Sequence, residues 1–162
     1  MLTPDIRTYI DRSVLCWLAT VNAEGVPNVS PKEVFAAHDD HHLLIAHIAS
    51  PQSVRNIRAN PQVCVSFVDV FVQKGYKLTG TAELIAPDTP RYEALLPPLH
   101  RITQGLFPIR SIIAIDVTVT APIVAPSYRL WPDVTEATQR ASAMRTYGVA
   151  PLPAEESTPE AL

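Results

Sequence analysis

Glycine is scarce in this chain of 162 residues: there are five, against sixteen prolines. Average usage runs the other way, at about 7% glycine and 5% proline. Neither a Walker loop nor Gly-x-Gly-x-x-Gly occurs, and no Ser-His-Asp arrangement is visible. Nucleotide triphosphatase, Rossmann and hydrolase readings therefore lack their usual support. Cysteine is nearly absent. Cys16 and Cys64 each sit alone in an apolar run, which fits buried thiols in a reducing cytoplasm rather than a disulfide frame or zinc site. Charge is sparse too, at 18% of residues with a net of −3. A nucleic-acid backbone needs a basic field, so no nucleic-acid partner is expected. No apolar run reaches the roughly 18 residues of a membrane span. The best stretch, 112–124, is interrupted by Asp116. No basic region precedes an apolar segment at the N-terminus, so no signal peptide is expected and the expected location is cytoplasmic.

What is present is apolar. Hydrophobic residues make up 47% and mean hydropathy is +0.10. Disorder needs low hydrophobicity, so the prolines punctuate a folded chain. Thr3-Pro4-Asp5 starts a helix, with Ile6, Tyr9 and Ile10 on one face. Residues 14–21 and 28–37 read as two strands of a hairpin about the Asn22–Gly25 turn, and 43–48 as a third, buried strand. Ser50-Pro51 opens a short helix that ends near Asn60-Pro61. Strands follow at 63–72 and 76–85. A helix carries Tyr92, Leu95, Leu96 and Leu99, and Pro97-Pro98 must break or restart it. A sixth strand spans 109–119, extended by 121–125, and residues 136–145 predict a terminal helix. Six or seven strands in hairpin order predict a mainly β fold, an antiparallel barrel with short α-helices. The expected organisation is a barrel domain over 1–130, a helical extension over 131–148 and a disordered tail over 149–162.

Two segments carry chemistry. In Ala46 to Arg58 a buried strand runs into a helix whose first turn reads Ser50-Pro51-Gln52-Ser53. The free backbone N–H groups of that turn and the helix dipole form an anion site. Ser53 adds a hydroxyl, and Arg55 and Arg58 add positive charge. The alternative is a helix cap at Ser50 with both arginines in water. In the second segment Asn28, Ser30 and Lys32 share one strand face. Pro31 deletes a ladder donor, so this strand is at an edge or faces a ligand. A planar heteroaromatic ring suits that polar face, and Lys32 would reach a phosphate or stabilise negative charge on the reduced ring. The alternative is a solvated edge. His38-Asp39-Asp40-His41-His42 reads as turn chemistry, and no metal site is expected.

Several further segments occur in order: Leu18-Ala19-Thr20-Val21, Gly25-Val26-Pro27-Asn28-Val29-Ser30-Pro31-Lys32, Asn56-Ile57-Arg58-Ala59-Asn60-Pro61 and Gly75-Tyr76-Lys77-Leu78-Thr79-Gly80-Thr81-Ala82. Together with Asp39-Asp40 they resemble the pyridoxamine 5′-phosphate oxidase-like, FMN-binding split-barrel family over about residues 5–120. The resemblance implies a six-stranded split β-barrel and a homodimer with FMN at its interface. It implies phosphate contacts at Ser30, Lys32, Ser50, Gln52, Ser53, Arg55 and Asn56. Ring contacts would come from Asn28, Val29, Ser30, Pro31 and Lys32, and from His47-Ile48. Trp131 would be the candidate for the aromatic residue lent by the partner chain, the alternative being helix or interface packing.

The chain departs from that pattern in two places. Gln52-Ser53 stands where true pyridoxamine phosphate oxidases carry a basic pair, and no Arg-x-His segment follows Trp131. Oxidation of vitamin B6 itself is therefore not expected. The expected function is an FMN-dependent oxidoreductase acting with a small-molecule electron donor or acceptor. The alternative is a flavin, haem or deazaflavin binding protein without turnover. A structural dimer with an empty barrel ranks last, because it leaves Asn28, Ser30 and Lys32 without a purpose.

Overall fold

The computed structural model describes residues 1–152. Its sheet has seven strands: β1 (Cys16–Val21), β2 (Pro27–Lys32), β3 (Phe35–Ala37), β4 (His42–His47), β5 (Gln62–Asp69), β6 (Lys74–Ile85) and β7 (Ser111–Val124). The order across the sheet is β2-β1-β5-β6-β7-β4-β3, antiparallel throughout. The strands at its two ends, β2 and β3, follow each other in the chain with only Glu33 and Val34 between them. A flat sheet of this order is sterically excluded. The sheet must curl until its edges nearly meet, and Val34 O accepts from Ala46 N at 2.9 Å where they do. The expected split barrel is the observed one. The count is seven because the predicted strand 28–37 is divided at this seam.

The edge position of β2 explains Pro31. Its lost N–H faces no neighbouring strand, so the ladder with β1 survives, with Pro31 opposite Trp17. β4 reads His-Leu-Leu-Ile-Ala-His because both its faces are covered. Leu43 and Ile45 enter the barrel core with Leu18, Val65, Phe67 and Ile113. Leu44 and Ala46 pack outward under α3 (Pro90–Thr103), against Tyr92, Leu95 and Leu99.

α3 runs unbroken through Pro97 and Pro98, which corrects the expected break. Each proline forfeits an intrahelical hydrogen bond. Burial of Leu95 and Leu99 on either side offsets that loss, each worth about 1.5–3 kcal/mol of transfer free energy. Tyr92 OH ties the helix down by donating to Ile109 O at 2.7 Å. The longest pair, β6 and β7, shifts register between Thr79 and Gly80. There the unpaired Thr118 donates its hydroxyl to Thr79 O at 3.1 Å. Such a bulge bends the ribbon, which a closing barrel requires.

Two helices cover the barrel ends: α1 (Pro4–Arg12), capped by Thr3, and α2 (Pro51–Ala59). The C-terminal segment clasps the β5–β6 turn through α4 (Ser127–Leu130), a short helix the sequence reading lacked. Tyr128 OH donates to Val72 O at 2.7 Å. Lys74 Nζ lies 4.3 Å from the Tyr128 ring centre and 2.8 Å from Glu136 Oε1. α5 (Glu136–Tyr147) follows, two residues longer than the predicted 136–145 because Thr135 caps it and Gly148 ends it in the left-handed region at φ 68°. Of the expected disordered tail at 149–162, residues 149–152 belong to neither helix nor strand, and the rest lies outside the described residues.

Candidate functional site

The seam between β2 and β4 gathers the polar residues that the two sequence segments supplied. Lys32 ends β2 on its inward face, opposite Cys16 in the ladder, and is 5% exposed. Its Nζ donates to Ser30 Oγ at 2.5 Å and to Ser50 Oγ at 2.6 Å. Among the described residues it forms no ion pair. Burial draws its pKa down from the usual lysine value. Burial also pushes the neighbouring Cys16 thiol up to about 12, so it offers no compensating negative charge at neutral pH. A buried ammonium held by two hydroxyls lacks the anion that normally accompanies a charge out of water.

The start of α2 adjoins this ammonium. Ser50 is the N-cap residue, but its side chain caps nothing and accepts from Lys32 instead. The plain helix-cap reading of Ser50 is thereby corrected. The first-turn amides of the helix have no intrahelical acceptor, as at any N-terminus. Ser53, in the same turn, is 1% exposed, and its Oγ has no partner. Buried hydroxyls are normally bonded, so Ser53 leaves an orphan donor in the first turn of α2, although it does not line the cavity at the seam.

The remaining α2 residues serve a different purpose. Asn56 is buried and donates through Nδ2 to Thr20 Oγ1 at 3.0 Å, while its Oδ1 accepts from Gln52 Nε2 at 2.7 Å. Gln52 Oε1 accepts from Arg55 at 2.6 Å, which leaves Arg55 on the exposed side. Asn28 Nδ2 also donates to Thr20 Oγ1, at 3.4 Å. Gln52, Arg55, Asn56 and Asn28 thus form a chain that locks α2 against β1 and β2. Their polar groups are engaged with one another, whereas Lys32 meets only two neutral hydroxyls and Ser53 Oγ has no partner. The hub is Thr20, which sequence reasoning missed. Its one available signal was alternation, which turns Thr20 toward the same side as Leu18. Thr20→Val keeps the shape and removes the acceptor. It is expected to lower stability by about 1–3 kcal/mol, because a buried amide is left unpaired. Urea denaturation measures this.

The polar face of β2 points inward to α2, so the solvated-edge alternative does not hold for Ser30 and Lys32. Val29, on the opposite face, is 59% exposed. A cavity of about 230 Å³ opens at the seam, lined by Pro31, Lys32, Glu33, Val34, Ala46, Ile48, Ala49, Ser50 and Phe107. Phe107 follows α3 and was not anticipated. It is 52% exposed, and only the close approach of a distant loop reveals it. His47 and Ile48 were expected together. Strand alternation separates them: Ile48 lines this cavity, whereas His47 lines another with Ser111, its ring Nδ1 3.1 Å from Ser111 Oγ. Trp131 is exposed at the C-terminal end of α4 and does not line the seam cavity of its own chain. In the His-Asp turn, Asp39 Oδ1 accepts from the backbone N–H of His41 and His42, both at 2.8 Å. Among the described residues no three His, Cys, Asp or Glu side chains are placed to hold a metal ion.

An antiparallel barrel split along one seam, with a buried lysine beside a helix N-terminus there, defines the class as a split barrel. Residues 2–121 match the family model described as pyridoxamine 5′-phosphate oxidase, and the chain belongs to that family. Haem oxygenase HutZ of Vibrio cholerae is 30% identical over 95 residues, 54% of this chain and 53% of that one. The chain therefore spans about half the length of the curated relative it matches. The crystal structure of HupZ from Group A Streptococcus superposes with a TM-score of 0.67 at 28% identity, over 77% of this chain and 96% of that chain. An FMN-binding protein from Syntrophomonas wolfei shares the fold, with a TM-score of 0.63 at 13% identity over 72% of this chain and 82% of that one.

Proposed function

We propose that the chain is an FMN-binding flavoprotein that receives the cofactor phosphate at the β2–α2 seam and works as an oxidoreductase with a small-molecule electron donor or acceptor. The observation that carries this reading is Lys32: buried, hydrogen-bonded to Ser30 and Ser50, and without an anion. FMN, when bound, would supply the redox chemistry. The chain's own residues would position it. Lys32 and the first-turn amides of α2 would meet the phosphate, Ser53 would give its orphan hydroxyl, and Pro31, Ile48 and Phe107 would offer apolar surface to the ring. Gln52-Ser53, where true pyridoxamine phosphate oxidases carry a basic pair, supports a substrate other than a vitamin B6 phosphate.

The same reading calls for a homodimer. The seam cavity of about 230 Å³ is smaller than the roughly 300–1,000 Å³ of ordinary ligand pockets, which supports a site completed by a second chain. The outer face of β1 and β2 presents Trp17, 45% exposed, and Val29, 59% exposed. A second copy would cover such a face and lend the seam an aromatic residue, for which Trp131 is the candidate. The barrel domain at 1–130 and extension at 131–148 belong to this proposal. Among the described residues no helix is long and apolar enough to cross a membrane.

A second reading is favoured by the kinship with HutZ. Here the seam would hold haem in place of FMN; the binding-only form of this reading has haem, flavin or deazaflavin held there without turnover. Visible absorption of the purified protein separates the two readings, followed by titration of ligand-free protein with FMN, riboflavin and haem. FMN bound about tenfold or more tightly than riboflavin, and then reduced by NADH or NADPH without oxygen, supports the first. A Soret band with no flavin uptake supports the second. Equal affinity for FMN and riboflavin would contradict the phosphate role. Sedimentation of the FMN complex as a monomer would remove the interfacial site.

A further inference from the structure

β4 ends between two cavities that share no lining residue. One is the seam at Lys32. The other measures about 440 Å³, and its polar groups come from His47, Arg58, Arg110 and Ser111. Three elements deliver them. His47 ends β4 and pairs with Ser111 of β7 in the ladder. Arg110 donates its N–H to His47 O at 2.9 Å, so register fixes these three side by side. Arg58 lies in the last turn of α2, one helical turn beyond the buried Val54, and therefore on the same helix face.

Neither arginine forms an ion pair among the described residues, and no carboxylate lines the cavity. The chain as a whole carries a net charge of −3, so this convergence of cations is a local exception. Burial, followed by the positive charges of Arg110, Lys32 and Arg58, holds the His47 imidazole below its ordinary value. All three charges that bear on the ring have one sign. Guanidinium groups pair with carboxylate and phosphate through planar, two-point hydrogen bonds. Ser111 adds a hydroxyl, and Val54 and Leu84 supply an apolar wall for a carbon skeleton.

We infer that this second cavity binds the carboxylate or phosphate group of a small molecule other than the one received at Lys32. The inference stands on Arg58, Arg110 and His47 and does not require that the chain bind a flavin.

The experiment follows the His47 ring resonances by NMR while the full chain is titrated with inorganic phosphate and, separately, with succinate. A saturable shift is expected with at least one of them. Saturation by phosphate alone identifies a phosphorylated ligand, and saturation by succinate alone a carboxylate. Arg58→Gln and Arg110→Gln are each expected to weaken the response about tenfold, the loss of one charge-assisted pair. Lys32→Met is expected to leave it within about threefold. Backbone amide spectra verify that each variant is folded. Absence of a saturable shift with either anion overturns the inference. So does a response unchanged in both arginine variants, or one abolished by Lys32→Met and retained by Arg110→Gln, which would put the anion at the seam.

Discussion

Lys32→Met is expected to weaken FMN binding by about 10- to 100-fold while making the ligand-free protein more stable. An ammonium-to-phosphate hydrogen bond contributes about 1.5–3 kcal/mol, and each 1.4 kcal/mol is tenfold in affinity. Methionine retains the aliphatic stem of lysine and gives up only the charge. In the ligand-free chain that charge is a liability: it is 5% exposed and has two serine hydroxyls but no carboxylate for company. Replacing a buried ion by an apolar side chain of similar volume is often stabilising by about 1–4 kcal/mol. The opposed signs make the result diagnostic. A lysine kept for structure would lose stability on substitution and leave the cofactor untouched. Fluorescence titration with FMN and riboflavin, beside thermal melts without ligand, decides between them. Riboflavin lacks the phosphate, so its affinity should change less than about threefold. Equal losses for both ligands would mean that Lys32 meets the ring or holds the fold.

Gly80→Ala is expected to lower stability by about 3 kcal/mol or more, among the largest effects open to a single methyl group. A Cβ there would lie 2.0 Å from Asp116 O, a backbone atom that cannot swing aside. The glycine sits where β6 and β7 slip register, so relieving the clash means straightening the bulge. β4 pairs with β7, and its far end carries Ala46, with Ile48 just beyond it, at the seam. A straightened bulge would therefore also weaken ligand binding. Gly25→Ala is the natural control. Gly25 has φ +82° in the Asn22–Val26 turn but open space around it, so strain alone should cost about 1 kcal/mol. Urea midpoints for the two variants compare the effects. Similar losses at Gly25 and Gly80 would mean that backbone conformation, not the close approach, makes Gly80 necessary.

Much of this fold is written locally. Thr3-Pro4, Ser50-Pro51 and Thr89-Pro90 each mark a helix start, and the alternating or continuous apolar runs mark the strands. Where local rules conflict with packing, packing prevails: Pro97 and Pro98 should stop α3, yet Leu95 and Leu99 hold it against the sheet. The seam was only partly legible. Ser30, Lys32, Ser50 and Ser53 stand out as polar residues in an apolar neighbourhood. Their meeting depends on β2 and β4 approaching across the barrel, which no local pattern encodes. Thr20 and Phe107 stayed hidden for the same reason, since each acts on a residue distant in sequence. Gln52, Arg55 and Asn56 look like ligand donors in sequence because amides and guanidinium groups serve equally well in internal locks.

Glu33 and Val34, the two residues that join the opposite edges of the sheet, also put the proposed phosphate site at the gap where the barrel closes. No ladder of strand hydrogen bonds runs between β2 and β4, so a fluctuation that parts them breaks few bonds, among them Val34 O–Ala46 N and Lys32–Ser50. A ligand bridging Lys32 and the α2 amides would act as a latch. It would add free energy only to the shut form and, by linkage, deplete every opened one. Saturation should then slow hydrogen exchange along β2 and α2 far more than in α5 or at the β5–β6 turn, where the same ligand has nothing to fasten.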